Sequence, residues 1–230
     1  MTTHSRRLAA LALVPLCLSF AVPLPEEAVG SEVLASAGFE GDDAGATARP
    51  NGPPTVSEEV YDASTGTGGE SEVVAYGSAK RYRLDAAGVS GGNRAIRLPF
   101  SSEVTSGTLT VNAVLTAEQC GDGGWLAVQD PKEEDWLGRA GFGDDGKFSV
   151  HGSSTNVSYS ADTRYRVIVT VHLGSSTTTD YSIIDLSTNT QVLSTTGRPV
   201  AGQPTAGSLL FTTDDGGAGA YTIDNVEAVR

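Results

Sequence analysis

The chain has 230 residues, enough for one sizeable hydrophobic core or two small ones. Its 28 acidic and 15 basic side chains give a net charge of −13, which excludes a general nucleic-acid binder, because such proteins need a basic face to displace counterions from phosphates. A hydrophobic content of 39% excludes a disordered chain, and the 28 glycines favour short strands joined by turns.

The N-terminal region has the order of a secretory signal peptide. Two adjacent arginines, an apolar run over 8–22 and small residues at 28–30 follow one another. The apolar run is shorter than the roughly 20 residues that span a bilayer, which disfavours a stable membrane helix. We therefore expect residues 1–30 to be removed on export. Residues 31–230 would then be the secreted or extracytoplasmic protein, in the periplasm or at the cell surface.

The rest of the sequence alternates between apolar-periodic runs and turn-forming clusters. Residues 41–72, rich in Gly, Pro, Thr and acids, predict a long irregular loop. A helical turn is compatible only with 116–119 and 132–136. Elsewhere every second residue shares a face, which is typical of strands. The predicted strands cover 37–40, 95–100, 107–115, 125–129, 147–151, 165–173, 179–186, 191–195, 209–212 and 220–229.

These strands predict one all-β domain of two packed sheets over 31–230. Turn signals separate the strands at regular intervals, and no linker, repeat or second core is evident. Because the period is two, one face of each strand supplies the core. The predicted core residues are Ile96, Leu98, Val128, Phe148, Val167, Val169 and Val171.

Several segments of the sequence resemble the concanavalin A-like, laminin-G-like jelly rolls of secreted bacterial proteins. They lie at 38–40, 91–98, 124–130, 141–148, 159–165 and 221–226, and so extend over almost the whole chain after residue 30. The resemblance implies a two-sheet jelly-roll sandwich. It implies no single activity, because the superfamily contains lectins, carbohydrate-binding modules, glycoside hydrolases, lyases and adhesion domains.

The resemblance also implies a structural calcium ion. In such jelly rolls the first and last strands pair antiparallel, which brings Glu40 near Asp224, and many relatives hold calcium there with carboxylates and backbone carbonyls. Glu40, Asp42 and Asp224 can supply part of the six to eight oxygens that calcium prefers. The alternative is that Glu40 caps a turn and Asp224 accepts a hydrogen bond from a neighbouring amide.

Polar and aromatic side chains that alternate out of the apolar runs are the candidates for binding a sugar. A glycan site needs an aromatic platform surrounded by hydrogen-bonding groups, and Trp125 or Trp136 is the candidate platform. The alternative is that Trp125 fills the core between the sheets. The candidate glycan-binding residues are Arg97, Trp125, Gln129, Arg139 and His151.

These observations favour a non-catalytic secreted module that binds a polysaccharide or cell-surface glycan, with no catalytic residue assigned. One alternative is a polysaccharide lyase or glycoside hydrolase. The acids at 133–135 fall in a predicted loop and lack the alternating spacing of paired glucanase carboxylates. The residues that imitate the set used by a lyase are Arg97, Gln129, His151 and Tyr159. A second alternative is a purely structural envelope or matrix domain.

The predicted signal peptide has a direct test. We expect exported protein to begin near residue 31, because the small residues at 28–30 follow the apolar run. Mass spectrometry of the intact secreted protein measures this. Exported material that still begins at Met1 would contradict the prediction.

Overall fold

The computed structural model describes residues 31–48, 60–90, 92–121, 123–133, 135–201, 204–213 and 219–230. The predicted signal peptide, residues 1–30, lies outside these ranges. Fifteen strands, numbered in chain order, form two sheets within the described residues. The eight-stranded sheet comprises β1 (Val33–Ala37), β3 (Glu70–Tyr76), β4 (Ala79–Asp85), β6 (Gly107–Ala117), β11 (Tyr165–Leu173), β12 (Thr178–Asp185), β13 (Thr190–Pro199) and β15 (Ala220–Val229). The seven-stranded sheet comprises β2 (Tyr61–Asp62), β5 (Ala95–Val104), β7 (Gly124–Gln129), β8 (Trp136–Phe142), β9 (Lys147–Val150), β10 (Ser153–Ser158) and β14 (Ala206–Thr213).

The order of the strands is that of a two-sheet sandwich. The first sheet runs β13-β12-β11-β6-β15-β4-β3, with β1 added to β15, and the second runs β10-β9-β8-β7-β14-β5-β2. Neighbouring strands pair antiparallel. The predicted all-β, two-sheet jelly-roll sandwich is therefore confirmed. All the strands belong to one compact unit, Ser31–Arg230.

The core lies between the sheets and follows the period-two pattern. In β11, buried and half-buried residues alternate strictly along the strand. A cluster of rings closes one part of this core, where Phe142 has its ring centroid 4.7 Å from that of Tyr159 and 6.4 Å from that of Tyr221. The predicted core is confirmed, since these residues are all buried: Ile96, Leu98, Val128, Phe148, Val167, Val169 and Val171.

Several boundaries differ from the prediction. The expected loop over 41–72 contains β2 and the start of β3, and residues 49–59 of it lie outside the described residues. Strands β4, β8 and β10 were not predicted. Strand β4 does alternate basic and apolar residues over its second half, so its pattern was present but short, whereas the two glycines of β8 interrupt an apolar-periodic pattern. Helical turns do not form at 116–119 or in the described part of 132–136, where strand, bend and turn occur instead.

The aromatic cluster predicts a large stability effect at one position. Truncating Phe142 removes a buried ring that contacts several others, so we expect Phe142→Ala to lower the free energy of unfolding by about 3–5 kcal/mol. Tyr76→Ala is the control, because Tyr76 is exposed and exposed substitutions cost about 0.5 kcal/mol or less. Urea denaturation measures both. Equal effects of the two substitutions would contradict the packing described here.

Candidate functional site

The outer face of the seven-stranded sheet carries most of the predicted site residues. Along β7, Leu126 and Val128 enter the core between the sheets, whereas Trp125 and Ala127 belong to a separate cluster on the opposite side. Strand register then aligns their neighbours on β8, β14 and β5. We call this surface the outer face, and its residues are Arg97, Trp125, Ala127, Gln129, Trp136, Arg139, Ser208 and Leu210.

Two tryptophans and an arginine stack on the part of the outer face formed by β7 and β8. The ring centroids of Trp125 and Trp136 are 4.6 Å apart with the planes tilted by 58°. The guanidinium carbon of Arg139 lies 4.9 Å from the Trp125 centroid and 4.6 Å from that of Trp136. These distances are those of aromatic pairing and of cation–π contact. The alternative that Trp125 fills the inter-sheet core is therefore wrong.

The stack presents one ring to solvent. Trp136 is 42% exposed, whereas Trp125 is 8% exposed and rests on Ala95, Ala127 and Leu210. The inner ring is fixed by packing and the outer ring is held by the inner ring and by Arg139. The arrangement supplies a rigid apolar surface with a cation beside it.

Two glycines leave the space that the stack needs. Gly141 lies opposite Trp125, and a Cβ there would come within 2.5 Å of the Trp125 Cα. Gly152 has φ of +76°, and a Cβ there would lie 2.9 Å from Nη2 of Arg139. Real Cβ atoms do not approach other atoms so closely, and L side chains rarely adopt such a φ. The stack therefore depends on glycine at both positions.

Polar groups lie beside the stack on the outer face, where Trp136 is paired with Gln129 across β8 and β7. Nη1 of Arg97 lies 2.6 Å from Oε1 of Glu133, and the Arg97 side chain is 24% exposed. Gln129 and Ser208 are paired across β7 and β14, and both are buried. Within the described part of the chain, Nε of Arg97, Oε1 of Gln129 and Oγ of Ser208 are buried without a hydrogen-bond partner. Buried polar atoms are normally paired, so this region has unused hydrogen-bonding capacity.

His151 does not share this surface. Its Nδ1 lies 3.0 Å from the hydroxyl of Tyr181, a buried residue of the other sheet, and its backbone N–H donates to the carbonyl of Arg139 at 2.8 Å. Burial raises the pKa of Tyr181 to about 12, so this hydroxyl stays protonated at neutral pH. His151 therefore holds the turn beside Arg139, where φ at His151 is 51°, instead of facing the outer face.

Tyr159 is also absent from the outer face. It is buried in the main core, its hydroxyl donates to the carbonyl of Gly143 at 2.9 Å, and it accepts from the N–H of Gly121 at 2.8 Å. The four residues expected to imitate a lyase therefore do not converge. Arg97 and Gln129 lie on the outer face, whereas His151 and Tyr159 have structural contacts elsewhere.

Asp224, one of the three predicted calcium ligands, is held by protein groups. Its Oδ2 lies 3.2 Å from Nη2 of Arg164 and accepts from the side-chain amide of Asn225 at 3.1 Å, while Oδ1 accepts the Asn225 backbone N–H at 2.8 Å. Burial raises the pKa of Asp224, and the nearby charge of Glu40 adds to this effect against the lowering effects of Asn225 and Arg164. The two carboxylates are thus within electrostatic range of each other.

The remaining predicted ligands meet a lysine. The backbone N–H of Lys80 donates to Oε2 of Glu40 at 3.2 Å, and its ammonium group donates to the carbonyl of Asp42. Strands β1 and β15 pair antiparallel as the resemblance implies. However, no group of three His, Cys, Asp or Glu side chains converges as metal ligands among the described residues. Arg164 and Lys80 supply positive charge beside these carboxylates, and a calcium ion would have to compete with both for their oxygens.

Comparisons with known proteins identify the fold but no family. No protein-family model matches this sequence, and no curated protein sequence matches it. Among solved structures, a sialidase matches with a TM-score of 0.58 and 15% identity over 85% of this chain, which corresponds to 18% of the sialidase chain. This chain therefore spans only a small part of that protein.

Two other solved structures match along nearly their whole length. An alginate lyase mutant in complex with alginate trisaccharide matches with a TM-score of 0.55 and 14% identity, over 85% of this chain and 97% of the lyase. Lectin I from Ulex europaeus, in complex with the methyl glycoside of α-L-fucose, matches with a TM-score of 0.50 and 12% identity, over 81% of this chain and 96% of the lectin. Identities this low show a shared fold.

The described residues form no helix of the length and apolarity needed to cross a bilayer.

Calcium binding by Glu40, Asp42 and Asp224 stays a prediction with a defined test. An ion that binds only the folded chain raises its melting temperature by mass action. The prediction therefore requires a rise in melting temperature with excess CaCl₂ that EDTA reverses and that Asp224→Asn abolishes. Asp145→Asn is the matched control, since Asp145 is an exposed aspartate in another part of the fold. An unchanged melting temperature in calcium and in EDTA would contradict the prediction.

Proposed function

We propose that the chain is a secreted, non-catalytic module of the concanavalin A-like type that binds a polysaccharide or cell-surface glycan on its outer face. The observation that supports this proposal most strongly is the stack of Trp125, Trp136 and Arg139 beside a polar region with unpaired buried atoms. A sugar ring has one apolar face of C–H groups and a rim of hydroxyls. An exposed indole accepts the first, and flanking polar groups accept the second.

The exposure of Trp136 supports the same proposal. Large hydrophobic side chains that are exposed are few among the described residues, and Trp136 is the one that belongs to a cluster of aromatic, cationic and amide groups. Packing against Trp125 and Arg139 restricts its ring before any ligand arrives. A restricted ring loses little conformational entropy on binding, which favours affinity.

The geometry gives less support to a lyase or hydrolase. Proton abstraction needs a base within hydrogen-bond reach of the substrate, and both His151 and Tyr159 contact structural partners away from the outer face. Arg97 and Gln129 remain on that face, where they suit binding. The alginate lyase and the lectin that share this fold are in complexes with sugars, which is compatible with either class of function.

The proposal predicts a specific loss of binding. We expect the purified protein to bind oligosaccharides on a glycan array, and Trp136→Ala to weaken that binding about tenfold, or about 1.4 kcal/mol. Tyr76→Ala is the matched control: Tyr76 is 39% exposed and also lies against an arginine, Arg81, but on the eight-stranded sheet. Calorimetry with the bound oligosaccharide measures the affinities of all three proteins.

Three outcomes would contradict the proposal. Equal losses in Trp136→Ala and Tyr76→Ala would place binding away from the outer face. Release of reducing ends or unsaturated uronates from the same polysaccharides would make the protein an enzyme. Neither binding nor turnover across the array would favour a purely structural envelope or matrix domain.

A further inference from the structure

We propose that the glycan bound on the outer face is acidic, and that Glu133 occupies the position of its carboxylate on Arg97 while the site is empty. This inference rests on the proposed function. Because Glu133 competes with the ligand carboxylate for Arg97, Glu133 sets the preference between acidic and neutral glycans. The ligand class is a polysaccharide with uronate-type carboxylates.

The Arg97–Glu133 pair is the first basis for this inference. Arg97 reaches Glu133 through Nη1 at 2.6 Å, and this carboxylate is the only charged group in ion-pair contact with Arg97 within the described residues. Glu133 belongs to the loop after β7 and has a positive φ of 65°. Its side chain is 46% exposed, so it can turn into solvent without movement of the sheet.

The unpaired polar atoms beside Arg97 are the second basis. Arg97, Ser208 and Gln129 lie on the adjacent strands β5, β14 and β7. Gln129 is 3% exposed and Ser208 is 5% exposed, and each has a buried oxygen without a partner in the described part of the chain. Nε of Arg97 is likewise buried without a hydrogen-bond partner among the described residues. A ligand that displaces Glu133 and reaches these buried atoms would gain the hydrogen bonds that they lack in the empty site.

The exchange of one carboxylate for another follows from these contacts. The group already on Nη1 of Arg97 is a carboxylate, so the position suits the size and charge of a uronate. When the ligand arrives, Glu133 moves into water, where its charge is solvated. The ion pair is partly exposed, and partly exposed pairs contribute little to stability, so a ligand with further contacts to Trp136 can displace Glu133.

The charge of the whole chain opposes this local preference. A net charge of −13 repels an acidic polymer at long range. Salt screens the repulsion between charges that are more than about 8–10 Å apart. It weakens the contact between Arg97 and the ligand carboxylate much less, because the bound ligand shields that contact from solvent. Binding of an acidic glycan should therefore be tolerant of moderate salt, unlike binding driven by overall charge.

A pair of matched ligands and a pair of matched variants test the inference. The ligands are an oligogalacturonate and an oligomannuronate, each beside its carboxyl-reduced, neutral form. The variants are Glu133→Gln, which keeps the shape of the side chain, and Asp135→Asn, which removes one charge from the same loop. Asp135 is exposed, and its backbone N–H, not its carboxylate, joins it to the loop by donating to Oδ1 of Asp130 at 3.0 Å. Calorimetry with the full chain gives the dissociation constants.

We expect Glu133→Gln to strengthen binding of an acidic oligomer about two- to fivefold, as loss of a partly exposed ion pair allows. Binding of the reduced oligomer should not change, and Asp135→Asn should leave both affinities near those of the native chain. Arg97→Gln should remove the preference for the acidic form. Adding Glu133→Gln to Arg97→Gln should then give no gain.

The result also separates this inference from the proposed function. If neutral oligomers bind, depend on Trp136 and gain nothing from carboxylates, the acidic preference is overturned and the proposed function stands. Equal gains in Glu133→Gln and Asp135→Asn, or weaker acidic binding in Glu133→Gln, also overturn it. If no oligomer binds the native chain or any variant, both proposals fail.

Discussion

Strand β7 packs against neighbours on both of its faces, and all six of its residues are buried. Leu126 and Val128 fill the space between the sheets, as in any sandwich. On the other side, Trp125 is covered by Trp136 and Arg139 instead of being exposed. The outer face is therefore a second, small packed layer. Its aromatic and cationic groups are held in place by the same strands that form the core.

Much of the fold was predictable because period-two patterns mark strands with one apolar face. Strand β11 was predicted with its observed bounds, and so was the C-terminal strand, β15. Two of the missed strands, β8 and β10, lack that pattern. Strand β10 is polar along its length, and β8 has glycines where close contact with Trp125 and with the other sheet leaves no room for a Cβ. These requirements come from tertiary packing and leave no local signal in the sequence.

The candidate site was predictable only for residues that alternate along one strand. Trp125 and Gln129 are separated by an even number of positions, so they share a face. His151 has an outward position by spacing, but its positive φ directs the side chain toward Tyr181. The roles of Glu133 and Ser208 depend on how a loop returns over the sheet and on which strand lies beside β7. Neither is a local property of the sequence.

Intrinsic fluorescence offers the most direct test of where a ligand binds, because the chain has two tryptophans and both lie on the outer face. Titration with an oligosaccharide that binds by calorimetry should shift or quench the tryptophan emission, with a midpoint that matches the calorimetric dissociation constant. Trp136→Phe should remove most of that change, since Trp136 is the exposed ring. An oligosaccharide that binds by calorimetry and leaves the emission of both tryptophans unchanged would contradict the account.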